Sequence, residues 1–283
     1  MLRAYPQALV KQLNLPQHQR FTGSDIYAQF NSAAKFHFPG DPTPMAAGQS
    51  DFLFVVLHEM IHGLGFTSSW DDYVNQAPSA LTPGISGAST REGFVFSGFV
   101  ENAFDRFLVE TATNAPVSAR TAALNKIFSG PSTTFASLQA FTTAVQASDI
   151  FKTNAGEMFR LSTTAQSLAF VTAGKQKLSL ETSLSPYQPG SSVSHADLKT
   201  FSDTRFRVDP GVSLADAVQK GEGGPLGPTL LGVLESLGYA TKANPNPIFR
   251  VRSSANPTAA PGRRLTLAAL VFVILAGSFL FSP

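Results

Sequence analysis

The 283-residue sequence contains no cysteine. A disulfide framework and every thiolate metal site are thereby excluded, although the redox compartment is not fixed by that absence. Charge is sparse and balanced, with 21 Lys and Arg against 19 Asp and Glu, and neither sign forms a long block. A nucleic-acid partner and an acidic interaction tail are therefore not expected. Asn-x-Ser/Thr acceptors with a permitted middle residue are missing. The opening stretch MLRAYPQALVKQLNLPQHQR lacks the apolar core of a secretory signal. Methionine is scarce as well: the four are Met1, Met45, Met60 and Met158. No internal repeat is visible.

What is present is apolar. At 43% hydrophobic content the chain can bury a large core as one domain or as a domain with a lobe. Residues 1–241 are read as that domain, with the Ser/Thr/Ala-rich stretch 111–171 as an inserted helical lobe holding a helix near Thr133 to Val145. TPGISGASTREG, from Thr82, is read as a surface loop, and the apolar Phe94 to Glu110 as a strand or helix against the core. GPTLLGVLESLGYAT is an amphipathic helix, opened by Pro228 and closed by Gly238, the arrangement that proline and glycine favour at helix ends.

Residues 242–264 have the Pro/Asn/Ser/Ala composition of a linker, and 265–281 is an uncharged apolar tail behind Arg263 and Arg264. A tail of that length is near the short limit for a membrane span. The small residues Ser253 to Asn256, followed by a polar spacer, match a glycosylphosphatidylinositol attachment signal. The expectation is membrane anchoring, by lipid or by a retained helix, at the cell surface. With no leader at the start, the reading requires a chain missing its true beginning, or a tail-anchored protein facing the cytosol.

The chemistry lies in LHEMIHGLGFTSSW, residues 57–70, directly behind the apolar run FLFVVL. Ser50 or Asp51 can cap a helix running through His62, with Gly63 and Gly65 ending it. On such a helix His58 and His62, four apart, stack one above the other and can aim two imidazoles at one ion. Glu59 reaches the same space without taking a coordination position, where a base for an activated water belongs. Leu57, Met60, Ile61 and Leu64 are expected to wall the site off from water.

A catalytic zinc site needs a third protein ligand and an open position. Ser68 stands six residues after His62, where a compact site would carry a histidine, and hydroxyls are poor zinc ligands. His195 is the stronger candidate: PGSSVS precedes it as a flexible turn, and Asp197 follows as a possible supporting acid. Glu101 in ENAFDR, with Asp105 behind it, is the alternative, by analogy with sites whose third ligand is a glutamate on a second helix. His18 and His37 are read as ordinary surface or packed histidines.

HEMIHGLGF, the distant histidine in GSSVSHAD and the closing GPTLLGVLESLGY together resemble the leishmanolysin-like zinc metallopeptidases, with the secreted fungal relatives as the nearer likeness. The resemblance runs over about residues 5 to 242. It implies an α+β, zincin-like, two-lobed fold in which an N-terminal lobe carries the active-site helix. It also implies one zinc ion on His58, His62 and His195, Glu59 as catalytic base, and protein or peptide substrates. One departure is plain: metzincins carry a methionine turn beneath the metal after the third histidine, and no methionine follows His195. Phe201 or Phe206 is the candidate for that floor. The competing expectation is a surface-anchored structural or adhesive protein that keeps the fold without the activity.

Overall fold

The computed structural model describes residues 3–13, 21–74, 79–128, 133–201 and 226–245. The apolar tail 265–281, His18, Phe206 and most of the 242–264 linker lie outside the described residues. Among the described residues no helix is long and apolar enough to cross a membrane.

The chain is a mixed α/β protein with several small sheets. In order, it runs β1 (Arg3–Ala4), α1 (Gln7–Gln12), β2 (Phe36–His37), β3 (Ser50–Asp51), α2 (Phe52–Gly63), β4 (Gly84–Thr90) and β5 (Gly93–Asn102). A 3₁₀ turn (Phe104–Phe107) and β6 (Leu108–Glu110) lead to α3 (Ser118–Leu124), β7 (Thr133–Phe135), α4 (Leu138–Ala147) and α5 (Asp149–Ser162). β8 (Leu168–Val171), β9 (Lys177–Ser179), α6 (Leu198–Phe201) and α7 (Pro228–Leu237) follow, among the described residues.

β5 organises the first sheet: it pairs antiparallel with β4, parallel with β1 and, at its start, antiparallel with β7. Alternation along a strand buries every second residue, and Phe94 and Phe96 obey it. A register shift then opposes Ser86 to Gly98 and Gly87 to Phe96, leaving Ser97 as the extra residue of a bulge. One extra residue moves the inward set by one position, so Phe99 and Glu101 become the buried residues beyond it. The strand thus carries apolar rings into the core at one end and a carboxylate at the other.

A second, antiparallel sheet has the order β6, β8, β9, and its Leu108, Leu168, Phe170 and Leu178 are fully buried. Both sheets share one core. Phe141 of α4 packs on Phe94 and Phe96, while Phe66, Phe104 and Phe170 form a ring-on-ring series towards the second sheet. On α5, Phe151, Ala155, Met158 and Leu161 are the buried stripe, at the spacing of one helical face.

Three sequence expectations need correction. The segment from Thr82 is not a surface loop: Gly84–Thr90 is β4, paired along the length of β5. The helix expected to begin at Thr133 begins at Leu138, because Thr133, Thr134 and Phe135 are drawn into the sheet beside Phe96, Val95 and Phe94. The 111–171 segment is helical in α3 to α5, but it also supplies β7 and β8 and its apolar side chains belong to the common core. It is woven into the domain.

Candidate metal centre

α2 starts where the sequence places its cap. The Asp51 side chain accepts from the Phe54 amide at 2.9 Å, and the helix ends at Gly63 with Gly65 at φ +107 just beyond. That positive φ turns the chain so that the Phe66 carbonyl faces back to His62, whose Nδ1 donates to it at 2.7 Å. A carbonyl oxygen can only accept, so the proton sits on Nδ1 and the Nε2 of His62 presents a lone pair.

His195 arrives from the other side. The turn expected to be flexible is instead tied as a ladder: Asp197 N donates to Ser179 O, Glu181 N to His195 O, and Val193 N to Glu181 O. The His195 Nδ1 donates to the Ser191 carbonyl at 3.1 Å, which again leaves Nε2 proton-free. The three Nε2 atoms meet: His58 to His195 is 3.0 Å, His58 to His62 3.1 Å and His62 to His195 3.3 Å.

With His62 and His195 both protonated on Nδ1, their facing Nε2 lone pairs repel, and a proton on His58 could bridge to only one of them. A cation among the three removes the repulsion. Tetrahedral zinc with nitrogens about 2.0–2.1 Å away would separate those nitrogens by about 3.3 Å, close to the observed triangle. Burial is the first cause that depresses the imidazoles, bringing His58 to about 3 and His62 to about 4, and lowering His195 as well. All three are therefore neutral near pH 7, as metal ligands must be. The donor set fits zinc.

Glu59 is buried on the same helix, and its Oε2 has no hydrogen-bond partner. Burial pushes its carboxyl above the ordinary value. The wall is thinner than expected: Ile61 is buried, whereas Leu57, Met60 and Leu64 are half-buried.

Several expected residues serve elsewhere. Glu101 does not approach the histidines; it is fully buried and accepts from Arg3 Nε at 3.0 Å, Ser118 Oγ at 2.9 Å and Thr121 Oγ1 at 2.6 Å. Asp197 does not support His195; it caps α6, accepting from the amide and hydroxyl of Thr200. His37 is a packed residue whose Nε2 contacts Thr43 O at 3.0 Å. Phe201 packs on the core, and Met158, buried in α5, lies within the common core.

Two acids went unnoticed in these roles. Glu181 is buried, accepts from Ser183 N and Oγ on one oxygen and from Leu198 N on the other, and fastens the start of the His195 loop. Asp105 is fully buried and accepts from Ser68 Oγ at 2.7 Å, Ser69 N at 2.9 Å, Ser69 Oγ at 2.6 Å and Asn102 N at 2.9 Å. Neither has a sequence signature, since nothing local distinguishes a buried acid from a solvated one.

A Schizosaccharomyces pombe protein described as "Uncharacterized protein PB7E8.01" is 28% identical over 277 residues, covering 85% of this chain and 47% of its own length. The chain thus spans about half the length of that relative. No solved structure matches it. The SPBPB7E8-like family model matches residues 1–256, and with every described residue inside that match, the protein belongs to the SPBPB7E8-like family.

Proposed function

We propose that this protein is a zinc-dependent endopeptidase of leishmanolysin-like, zincin type. The observation that carries the reading is the convergence of three imidazole Nε2 atoms within 3.0–3.3 Å, two of them proton-free because backbone carbonyls hold the ring proton on Nδ1. His58, His62 and His195 would hold the ion. Zinc bound there would supply Lewis-acid polarisation of a scissile carbonyl and acidify a water molecule.

The chain's own part is proton handling. Glu59, with Oε2 unbonded and its basicity raised by burial, takes the proton of the attacking water and returns it to the departing amine nitrogen. Phe66 and Ser191 keep the imidazoles of His62 and His195 in one tautomer throughout. Motif helix first and third ligand far downstream is the order that the zincin reading requires. The apolar stretch 265–281 supports membrane tethering of the same domain, with protein or peptide substrates outside it.

Metal analysis together with hydrolysis of casein or a quenched peptide, with and without chelator, tests the reading. Stoichiometric zinc and chelator-sensitive cleavage are expected. Glu59→Gln is expected to keep its zinc and lose turnover, whereas His195→Ala loses both. Zinc without cleavage in the wild type would favour the inactive, surface-anchored scaffold.

A further inference from the structure

The segment Phe66–Ser69 joins the two halves of the candidate metal centre, and one acid holds it. At its start, the Phe66 carbonyl accepts from the Nδ1–H of His62 at 2.7 Å. In its middle, Asn102 Nδ2 donates to Thr67 O at 3.3 Å, and the Ser68 amide donates to Ser194 Oγ, beside His195, at 3.1 Å. At its end, the Ser68 hydroxyl and the Ser69 amide and hydroxyl all donate to Asp105. The Phe66 ring lies 4.8 Å from that of Phe104, the neighbour of Asp105 on the 3₁₀ turn.

We propose that Asp105 is a positioning residue for the histidine triad: by clamping Ser68 and Ser69 it fixes both the carbonyl that orients His62 and the amide that docks the His195 loop. The position where a compact site would carry its third histidine is used by Ser68 as the link to the distant one. Asp105 touches no imidazole and acts through two backbone groups. Asp105 is fully buried and both its oxygens are occupied, so the clamp has no slack to transmit. This inference rests on the zinc reading above.

The test measures zinc dissociation constants by chelator competition, and the visible spectrum of the Co²⁺-loaded protein, on the full chain. Loss of an outer hydrogen-bonding partner weakens metal binding by about 10- to 100-fold. That loss, with shifted cobalt bands, is expected for Asp105→Ala and Ser68→Ala. Asp105→Asn should lose less, because its remaining oxygen can keep the Ser69 and Asn102 amides. Glu101→Gln is the control for a merely structural buried acid, expected to lower the melting temperature with zinc affinity unmoved. Where Asp105→Ala does not fold, Ser68→Ala and Asp105→Asn decide. Wild-type zinc affinity and cobalt spectrum in folded Ser68→Ala and Asp105→Asn would overturn the inference alone. A wild type that binds neither ion would overturn it together with the peptidase reading.

Discussion

Asp105 sets two physical terms against each other. Full burial disfavours its charged form, while four donors favour it; burial dominates and pushes the carboxyl from 3.8 up to about 6. A carboxyl raised in the folded state contributes stability that is complete below its unfolded value and fades as pH rises through the folded one. The stability of wild type over Asp105→Asn, which is uncharged at every pH, is therefore expected to shrink between about pH 4 and 6. Denaturant melts at several pH values measure it. A difference that grows with pH would mean that the donors win. At this scale the sequence was informative where spacing alone defines the geometry, as for His58, Glu59 and His62. It offered Glu101 and Asp197 tasks they do not perform and gave none to Asp105 or Glu181, because an acid's task is set by which distant hydroxyls and amides surround it.

α2 is legible because its cap, apolar run and terminating glycines are all local features. Gly65 shows why the end matters. It sits at φ +107, and a Cβ there would lie 2.7 Å from Pro6 Cγ and 3.6 Å from Leu237 Cδ1. Pro6, the cap of α1, thus closes on the turn that delivers Phe66 to His62, and Leu237 of α7 lies in ordinary contact distance of it. Gly65→Ala combines a left-handed backbone with a steric clash and is expected to cost about 1–3 kcal/mol, read from equilibrium unfolding. A neutral result would show that Pro6 can retreat. α7 was equally legible, with Leu230, Val233, Leu234 and Leu237 buried and Gly238 at φ +116. β4 and β7 were not. Their Gly-, Ser- and Thr-rich sequences carry little apolar alternation, and they are strands only because β5 lies beside them.

On the scale of the molecule, Arg3, Glu101, Ser118 and Thr121 tie β1, β5 and α3 into one knot. Truncating a charged hydrogen-bond partner inside that knot is expensive: Glu101→Gln is expected to lower stability by about 2 kcal/mol, measured by chemical denaturation. A loss of zinc in that variant at full stability would return Glu101 to the ligand set. A mixture of helices and strands was expected from the resemblance, but the interleaving of the 111–171 segment was not. Its strands pair with residues far back in the chain, at separations no local window spans.

The bulge at Ser97 has a consequence for how this architecture tolerates change. Upstream of it β5 feeds Phe94 and Phe96 inward; downstream it feeds Phe99 and then Glu101 inward and brings Asn102 to the 3₁₀ turn that bears Asp105. That single surplus residue is a phase shifter between an oily half and a half that ends polar. Removing it would roll the polar half over like a key turned half a revolution, so length, more than identity, is what this stretch has to conserve.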